Sequence, residues 1–262
     1  MLTAKDGIGI VYNAWSAEKT QAPFFCKCCN SEVTLKKGHI RVHHFAHKPP
    51  CSCPYGKGES EIHSRAKKNI YESIKKENNC SICELEFPLN QNRPDIYIEI
   101  YNCKIAIELQ KTRLTVEEVI RRTKLYALDN IHVLWILPQM DITTPHPTED
   151  AYKVTEFHKL LHLMYFGRLY VWTGKEVLID VYHFESASTY VETTEWYDEY
   201  GDLQGGGGYY RQLKSYKKLV KYPKNPLHLI RDFKPTRREQ FSSSSLYVPA
   251  CSLWQDRNKK WW

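Results

Sequence analysis

Asp95 and Glu108 lie 13 positions apart, a spacing suited to two strands joined by a hairpin, and Gln110 follows Glu108 by two. Residues two apart on a strand point to one side, so Glu108 and Gln110 share a face. A glutamate set between Ile107 and Leu109 is costly to bury without a cation or a partner, and a costly placement of this kind hints at a site. Such carboxylates suit phosphodiester hydrolysis. The ester is an anion and its pentavalent transition state carries more negative charge. Mg²⁺ prefers carboxylate oxygens, offsets that charge and lowers the pKa of an attacking water. A further acid, Glu59, starts a helical pattern on which His63 and Lys67 follow at steps of four. Arg122 and Tyr126, also four apart, could contact a scissile phosphate or brace Glu108. The bland alternative is an exposed arginine and a core tyrosine.

A second group of residues has metal-ligand spacing. Cys26 and Cys29 form a C-x-x-C, and His44 and His47 follow in the run HHFAH. Zn²⁺ is commonly held by four Cys or His ligands, two from each of two turns, and a site with four protein ligands is structural because no position stays open. The favoured set is Cys26, Cys29, His44 and His47, with Cys51 or Cys53 as replacements for one histidine. Phe24, Phe25 and Phe45 can form a small core around it. Cys80 and Cys83 form another C-x-x-C, but they lead into a strand and read as core thiols. The basic residues Lys27, Lys36, Lys37, Arg41 and Lys48 suggest that this module also grips DNA.

These residues need elements to position them. Ile62, Ala66, Ile70 and Ile74 make one apolar stripe, which predicts a helix over 59–76 with Ser60 as a cap. Residues 83–88, 93–102 and 104–110 read as strands, with Ile96, Ile98 and Ile100 on one face. Residues 115–129 read as a helix capped by Thr115, its first turn favoured by Glu117 and Glu118. The run 131–137 is almost wholly apolar and predicts a strand buried on both faces. The order helix, three strands, helix, strand is an α/β core. Beyond Pro138 the pattern weakens to a loop over 141–150, a helix over 154–166 and a hairpin turning near Thr173 and Gly174. Gly205 to Gly208 read as a flexible link.

The run GES-x-x-H-x-x-x-K from Gly58 to Lys67, RPD at 93–95, IELQ at 107–110, E-x-x-x-RT-x-x-Y from Glu118 to Tyr126 and VLWIL at 133–137 together resemble the competence protein CoiA-like family. The C-x-x-C and HFAH of the N-terminal module are similar too. The resemblance covers about residues 5–137. It implies a restriction-endonuclease-like, PD-(D/E)XK core, a mixed sheet flanked by helices, with a small zinc-finger-like module in front. It would make Glu59 the helix acid, Asp95 and Glu108 the ligands of a catalytic Mg²⁺ or Mn²⁺, and Gln110 the occupant of the usual lysine position. Glutamine carries no charge but can orient water by hydrogen bonds. Lys111 should face the other way, and Lys67 is a candidate for the missing charge.

The wider composition is consistent with a nucleic-acid partner, DNA ahead of RNA. The 262 residues carry a net charge of +7, and the segment from Tyr209 onward holds 13 Lys and Arg against 3 Asp and Glu. That balance favours an acidic partner, although a solvated tail has the same composition. Residues 185–202 hold six acids and no Lys or Arg. No run reaches the roughly 20 apolar residues of a membrane span. Nine cysteines with no signal-like start are expected in a reduced, cytoplasmic protein. The expected divisions are 1–57 as lead-in and zinc module, 58–182 as nuclease-like core, and 183–262 as acidic stretch, link and basic end. Besides a nuclease, two readings stand: a catalytically silent module that binds nucleic acid or a protein, and a toxin-like or anti-phage nuclease effector that cuts only when a partner activates it; a protein partner or a homo-oligomer is also among the expectations.

Overall fold

The computed structural model describes residues 1–53, 55, 59–110, 114–243 and 246–258. Gly58 and Lys111, both used above, lie outside the described residues. The chain opens with five short antiparallel strands, β1 (Thr3–Lys5), β2 (Val11–Asn13), β3 (Phe24–Phe25), β4 (Glu32–Lys36) and β5 (His44–His47), in the order β2-β1-β3-β4-β5. Alternation along β4 turns Val33 and Leu35 inward. There they meet Met1, Phe24, Phe45, Cys26 and Cys53 in a separate small core. Phe24 and Phe45 pack with ring centroids 5.0 Å apart, while Phe25 is half-buried.

Next comes helix α1 (Glu61–Ile74), where the Ser60 side chain accepts a hydrogen bond from the His63 amide. Ala66, Ile70 and Ile74 are buried along it, as their spacing predicts. Strand β6 (Cys80–Leu85) starts and ends three residues earlier than its sequence pattern suggests, because Glu86 takes a left-handed backbone (φ 52) that breaks the extended run. Strands β7 (Ile96–Ile100) and β8 (Cys103–Leu109) are joined by Tyr101 and Asn102, both at positive φ, the signature of a two-residue type I′ hairpin. That turn pairs Ile100 with Cys103 and carries the register through to Ile96 with Ile107. Helix α2 (Val116–Leu128), capped by Thr115, crosses to β9 (His132–Ile136), which runs parallel to β8 with Val133 to Ile136 fully buried.

The rest of the chain comprises β10 (Tyr152–Lys153), α3 (Glu156–Met164), β11 (Leu169–Trp172), β12 (Leu178–Val191), β13 (Thr194–Tyr197), β14 (Leu203–Gly206), β15 (Tyr209–Lys221), β16 (Leu227–His228), β17 (Phe233–Arg238), β18 (Phe241–Ser242), β19 (Tyr247–Val248) and β20 (Cys251–Asp256). The central sheet is six-stranded and mixed, in the order β17-β20-β9-β8-β7-β6. α1 lies against β6 and β8, and α2 against β9 and β20. A second antiparallel sheet has the order β10-β15-β12-β11, and a Leu137 to Val171 bridge ties it to the end of β9.

The strands run across the expected divisions. A boundary at 182/183 would cut through β12, and the basic C-terminal segment returns to the central sheet, where β20 pairs in parallel with β9. Nor are Gly205 to Gly208 a free link. Gly205 and Gly206 lie in β14, and a Cβ on Gly207 (φ 98) would come within 2.0 Å of the Glu192 carbonyl oxygen, so the turn into β15 requires glycine there. Among the described residues, no helix is long and apolar enough to cross a membrane.

Candidate metal and carboxylate centre

The hairpin register decides where the acids sit. Asp95 directly precedes β7, whose Ile96 pairs with Ile107, so the register brings Asp95 beside Glu108 at the open end of the hairpin. The Leu109 amide donates to Asp95 Oδ2 at 2.9 Å, which fixes the carboxylate against the neighbouring strand. The first turns of α1 close over it. His63 Nε2 lies 3.0 Å from Asp95 Oδ2, and Lys67 Nζ lies 3.2 Å from Asp95 Oδ1. Lys67 also reaches Glu59 Oε1 at 2.9 Å and Glu86 Oε1 at 3.0 Å, and its side chain is only 1% exposed. Glu108, equally enclosed, takes hydrogen bonds from Arg122 and Tyr126 of α2. Gln110 is one residue past β8, but its amide donates to Ile136 O at 2.9 Å, so the ladder continues and alternation keeps it on the Glu108 side.

Glu59, His63, Lys67, Asp95, Glu108, Arg122 and Tyr126 therefore meet in one contiguous charged cluster. Two further members, Glu86 and Arg93, were given no role by the sequence patterns. Glu86 caps the cluster from the left-handed position after β6. It accepts from the Leu2 amide at 3.2 Å and the Thr3 hydroxyl at 2.8 Å. Arg93 pairs with Glu86 at 3.4 Å and lies over the Tyr55 ring. The available signal was an acid between Leu85 and Phe87, an apolar setting like that of Glu108.

The electrostatics separate Asp95 from Glu108. Burial alone would raise the Asp95 pKa, but His63 and Lys67 outweigh it and hold the carboxyl well below its usual range. Burial also dominates Glu108. Arg122 pulls its pKa down and Asp95 pushes it up, leaving the carboxyl raised to about 7. Burial disfavours the Lys67 charge, yet Glu86, Glu59 and Asp95 more than restore it. His63 is likewise raised by Asp95 against the effect of burial. Asp95 is thus a fixed anion, and Glu108 is an acid whose charge depends on what stands beside it.

In the N-terminal module, the ligand atoms of Cys26, Cys29, His47 and Cys53 all lie within 4.8 Å of one another. A tetrahedral zinc with sulfur ligands at 2.3 Å has ligand edges of about 3.8 Å, so this donor set fits structural zinc. The C-x-x-C turn is closed by Asn30 at φ 58, with the Cys28 amide donating to Cys26 Sγ at 3.3 Å. Hydrogen bonds from Ser31, helped by His47, bring the Cys29 thiol down to about 6, while burial takes Cys53 up to about 12. The expected ligand His44 is not in the group. It is three residues from His47 on one strand, and alternation turns the two to opposite faces. The His44 ring contacts Val42 O at 3.0 Å, and Cys53 supplies the fourth ligand position. Cys80 and Cys83 lie half-buried on β6, apart from this cluster.

Comparison with known proteins extends the picture. Residues 59–188 match the family model described as "Competence protein CoiA, nuclease-like domain", and residues 12–56 match "Competence protein CoiA, N-terminal domain". The chain is 27% identical over 136 residues to "Competence protein CoiA" of Bacillus subtilis (strain 168). That alignment covers 52% of this chain and 36% of the relative, so the matched stretch spans about a third of that protein. No solved structure matches.

Proposed function

Since the chain belongs to the competence protein CoiA-like family, we propose that it is a metal-dependent nuclease of the PD-(D/E)XK type, hydrolysing phosphodiester bonds of nucleic acid, DNA ahead of RNA. The observation that carries this reading is the nearness of two buried acids at the open end of the β7–β8 hairpin, where the Asp95 charge acts on Glu108 and the Glu108 carboxyl, at about 7, loses its proton readily once a cation stands beside it. Asp95 and Glu108 would hold Mg²⁺ or Mn²⁺, which when bound offsets phosphate charge and makes water a better nucleophile.

The chain's own residues have separable roles. His63 and the Leu109 amide fix the orientation of Asp95. Lys67 keeps Asp95 ionised and supplies the positive charge that Gln110 cannot, while Glu59 and Glu86 hold Lys67 in place. Gln110 is placed to orient a water by hydrogen bonds. Tyr126 and Arg122 hold Glu108, and Arg122, partly accessible at 16%, can turn to a phosphate oxygen when Glu108 changes partner. Cys26, Cys29, His47 and Cys53 would hold a structural Zn²⁺ that organises the N-terminal sheet.

One observation favours a catalytically silent, nucleic-acid-binding scaffold instead. Lys67 and Arg122 already neutralise the acids, and no lysine follows Glu108 at the usual place. Purified, zinc-loaded protein incubated with duplex, single-stranded and branched substrates in Mg²⁺ or Mn²⁺ separates the two. The nuclease reading expects cutting that disappears in Asp95→Asn and Glu108→Gln. Binding without cutting, on every substrate and in both metals, would establish the scaffold.

A further inference from the structure

We propose that the N-terminal sheet carries a groove for single-stranded nucleic acid that leads onto α1, the helix that holds the carboxylate centre. The inference rests on the nuclease reading for its purpose but on separate residues for its evidence.

A cavity of about 900 Å³ opens beside β4 and the 37–41 segment. Lys19, Lys36, Lys37, Arg41 and Lys48 line it, and Glu32 is the one acid among the described residues that do so. Lys37 is tied to Glu18 at 2.9 Å and Lys48 to Glu32 at 2.6 Å. Lys19, Lys36 and Arg41 have no ion-pair partner among the described residues, so three cations face the cavity uncompensated. A phosphate backbone is the polyanion such a row fits.

A second cavity of about 510 Å³ adjoins the first and shares Gly38 to Arg41 with it. Its other wall belongs to Trp15 and to Lys68 of α1, whose ammonium lies 5.4 Å from the Trp15 ring centroid. Glu61 also lines it, but both carboxylate oxygens are engaged by the Val42 amide. His43 lines it as well, and its Nδ1 is buried without a hydrogen-bond partner among the described residues. The segment between the two cavities presents Ile40 at 93% exposure, flanked by His39 and Arg41. Cations therefore stand on both sides of a projecting apolar tip, and the track ends on α1 at the neighbour of Lys67.

The apolar tip selects among polyanions. Bases in a duplex are stacked and shielded, whereas a single strand offers its bases to apolar and aromatic surfaces such as Ile40 and Trp15 while its phosphates meet the cations. An acidic peptide would satisfy the cations but would leave Ile40 without a reason to project.

The test is fluorescence anisotropy of a labelled oligothymidine with the full zinc-loaded chain, without chelator and without added Mg²⁺. The double variant Lys36→Glu, Arg41→Glu is expected to bind at least about tenfold more weakly, with a salt slope shallower by about 1.4. Ile40→Ser should weaken single-strand binding and leave duplex binding alone, and Lys153→Glu, on the second sheet, should change neither. Zinc content and melting midpoint serve as fold controls. Wild-type affinity in folded groove variants overturns the proposal, as does equal competition by duplex or by polyglutamate of matched charge. These outcomes are independent of cleavage. A wild type that binds the strand but never cuts it defeats the nuclease reading and leaves the groove standing, whereas groove variants that bind and cut normally do the reverse.

Discussion

Lys67 is enclosed by three carboxylates at 2.9, 3.0 and 3.2 Å, so its charge, with His63 beside Asp95 and Arg93 beside Glu86, lets Glu59, Glu86 and Asp95 be ionised together. Removing one partner of a buried ionic cluster leaves uncompensated charge. Lys67→Met is therefore expected to cost about 3–5 kcal/mol of unfolding free energy by urea titration. Glu108 behaves oppositely. Its carboxyl titrates at about 7 in the folded chain against an ordinary 4.5. Between those values the folded state keeps a proton that the unfolded chain has lost, so this carboxyl erodes stability as pH rises through that window. Glu108→Gln should consequently raise the urea midpoint of the metal-free core at about pH 8 more than at about pH 5. At this scale spacing singled out Asp95, Glu108, Gln110, Glu59, His63, Lys67, Arg122 and Tyr126 as candidates, and the resemblance suggested roles for Glu59, Asp95, Glu108 and Gln110. It hid Glu86, because a strand-period pattern gives no warning that φ turns positive after Leu85.

Elements translate those residues into geometry, and two of them do most of it. The Tyr101–Asn102 turn sets the register that brings Asp95 beside Glu108, although the dipeptide lacks the glycine that usually announces a type I′ turn. The hairpin was legible from its alternating isoleucines rather than from its turn. In the N-terminal module, strand parity overrode the HFAH pattern. β5 turns His47 toward Cys26 and Cys29 and turns His44 away. Zinc measured after exhaustive dialysis should accordingly stay near one per chain in His44→Ala and fall in His47→Ala and Cys53→Ser. Zinc lost from His44→Ala and retained in Cys53→Ser would restore the ligand set suggested by spacing. α1 serves both sites, with its N-terminal turns over Asp95 and Lys68 facing the groove.

The whole molecule is more closed than its sequence suggests. A glycine run between an acidic and a basic stretch looks like a link to a tail, and CSLWQD is too short to declare itself a core strand. Yet Leu253 and Trp254 are buried, Trp254 Nε1 donates to Leu229 O at 2.9 Å, and Asp256 pairs with Arg168 at 2.8 Å. β20 completes the central sheet against β9, next to the strand that carries Glu108. Truncation before residue 233 should thus abolish the cooperative melting transition instead of trimming a dispensable end. Fully burying each large apolar side chain of that segment contributes roughly 1.5–3 kcal/mol. A truncated chain that melts like the full one would contradict this topology.

Metal-dependent cleavage at this centre requires Asp95 and Glu108 to share a divalent cation. Titration of Mn²⁺ into the zinc-loaded chain, followed by the electron paramagnetic resonance of free Mn²⁺, tests that directly. The expected result is one site per chain that tightens as pH rises through about 7, where Glu108 ionises, and that is lost in both Asp95→Asn and Glu108→Gln. No bound Mn²⁺, or Mn²⁺ bound equally well by both variants, would contradict it.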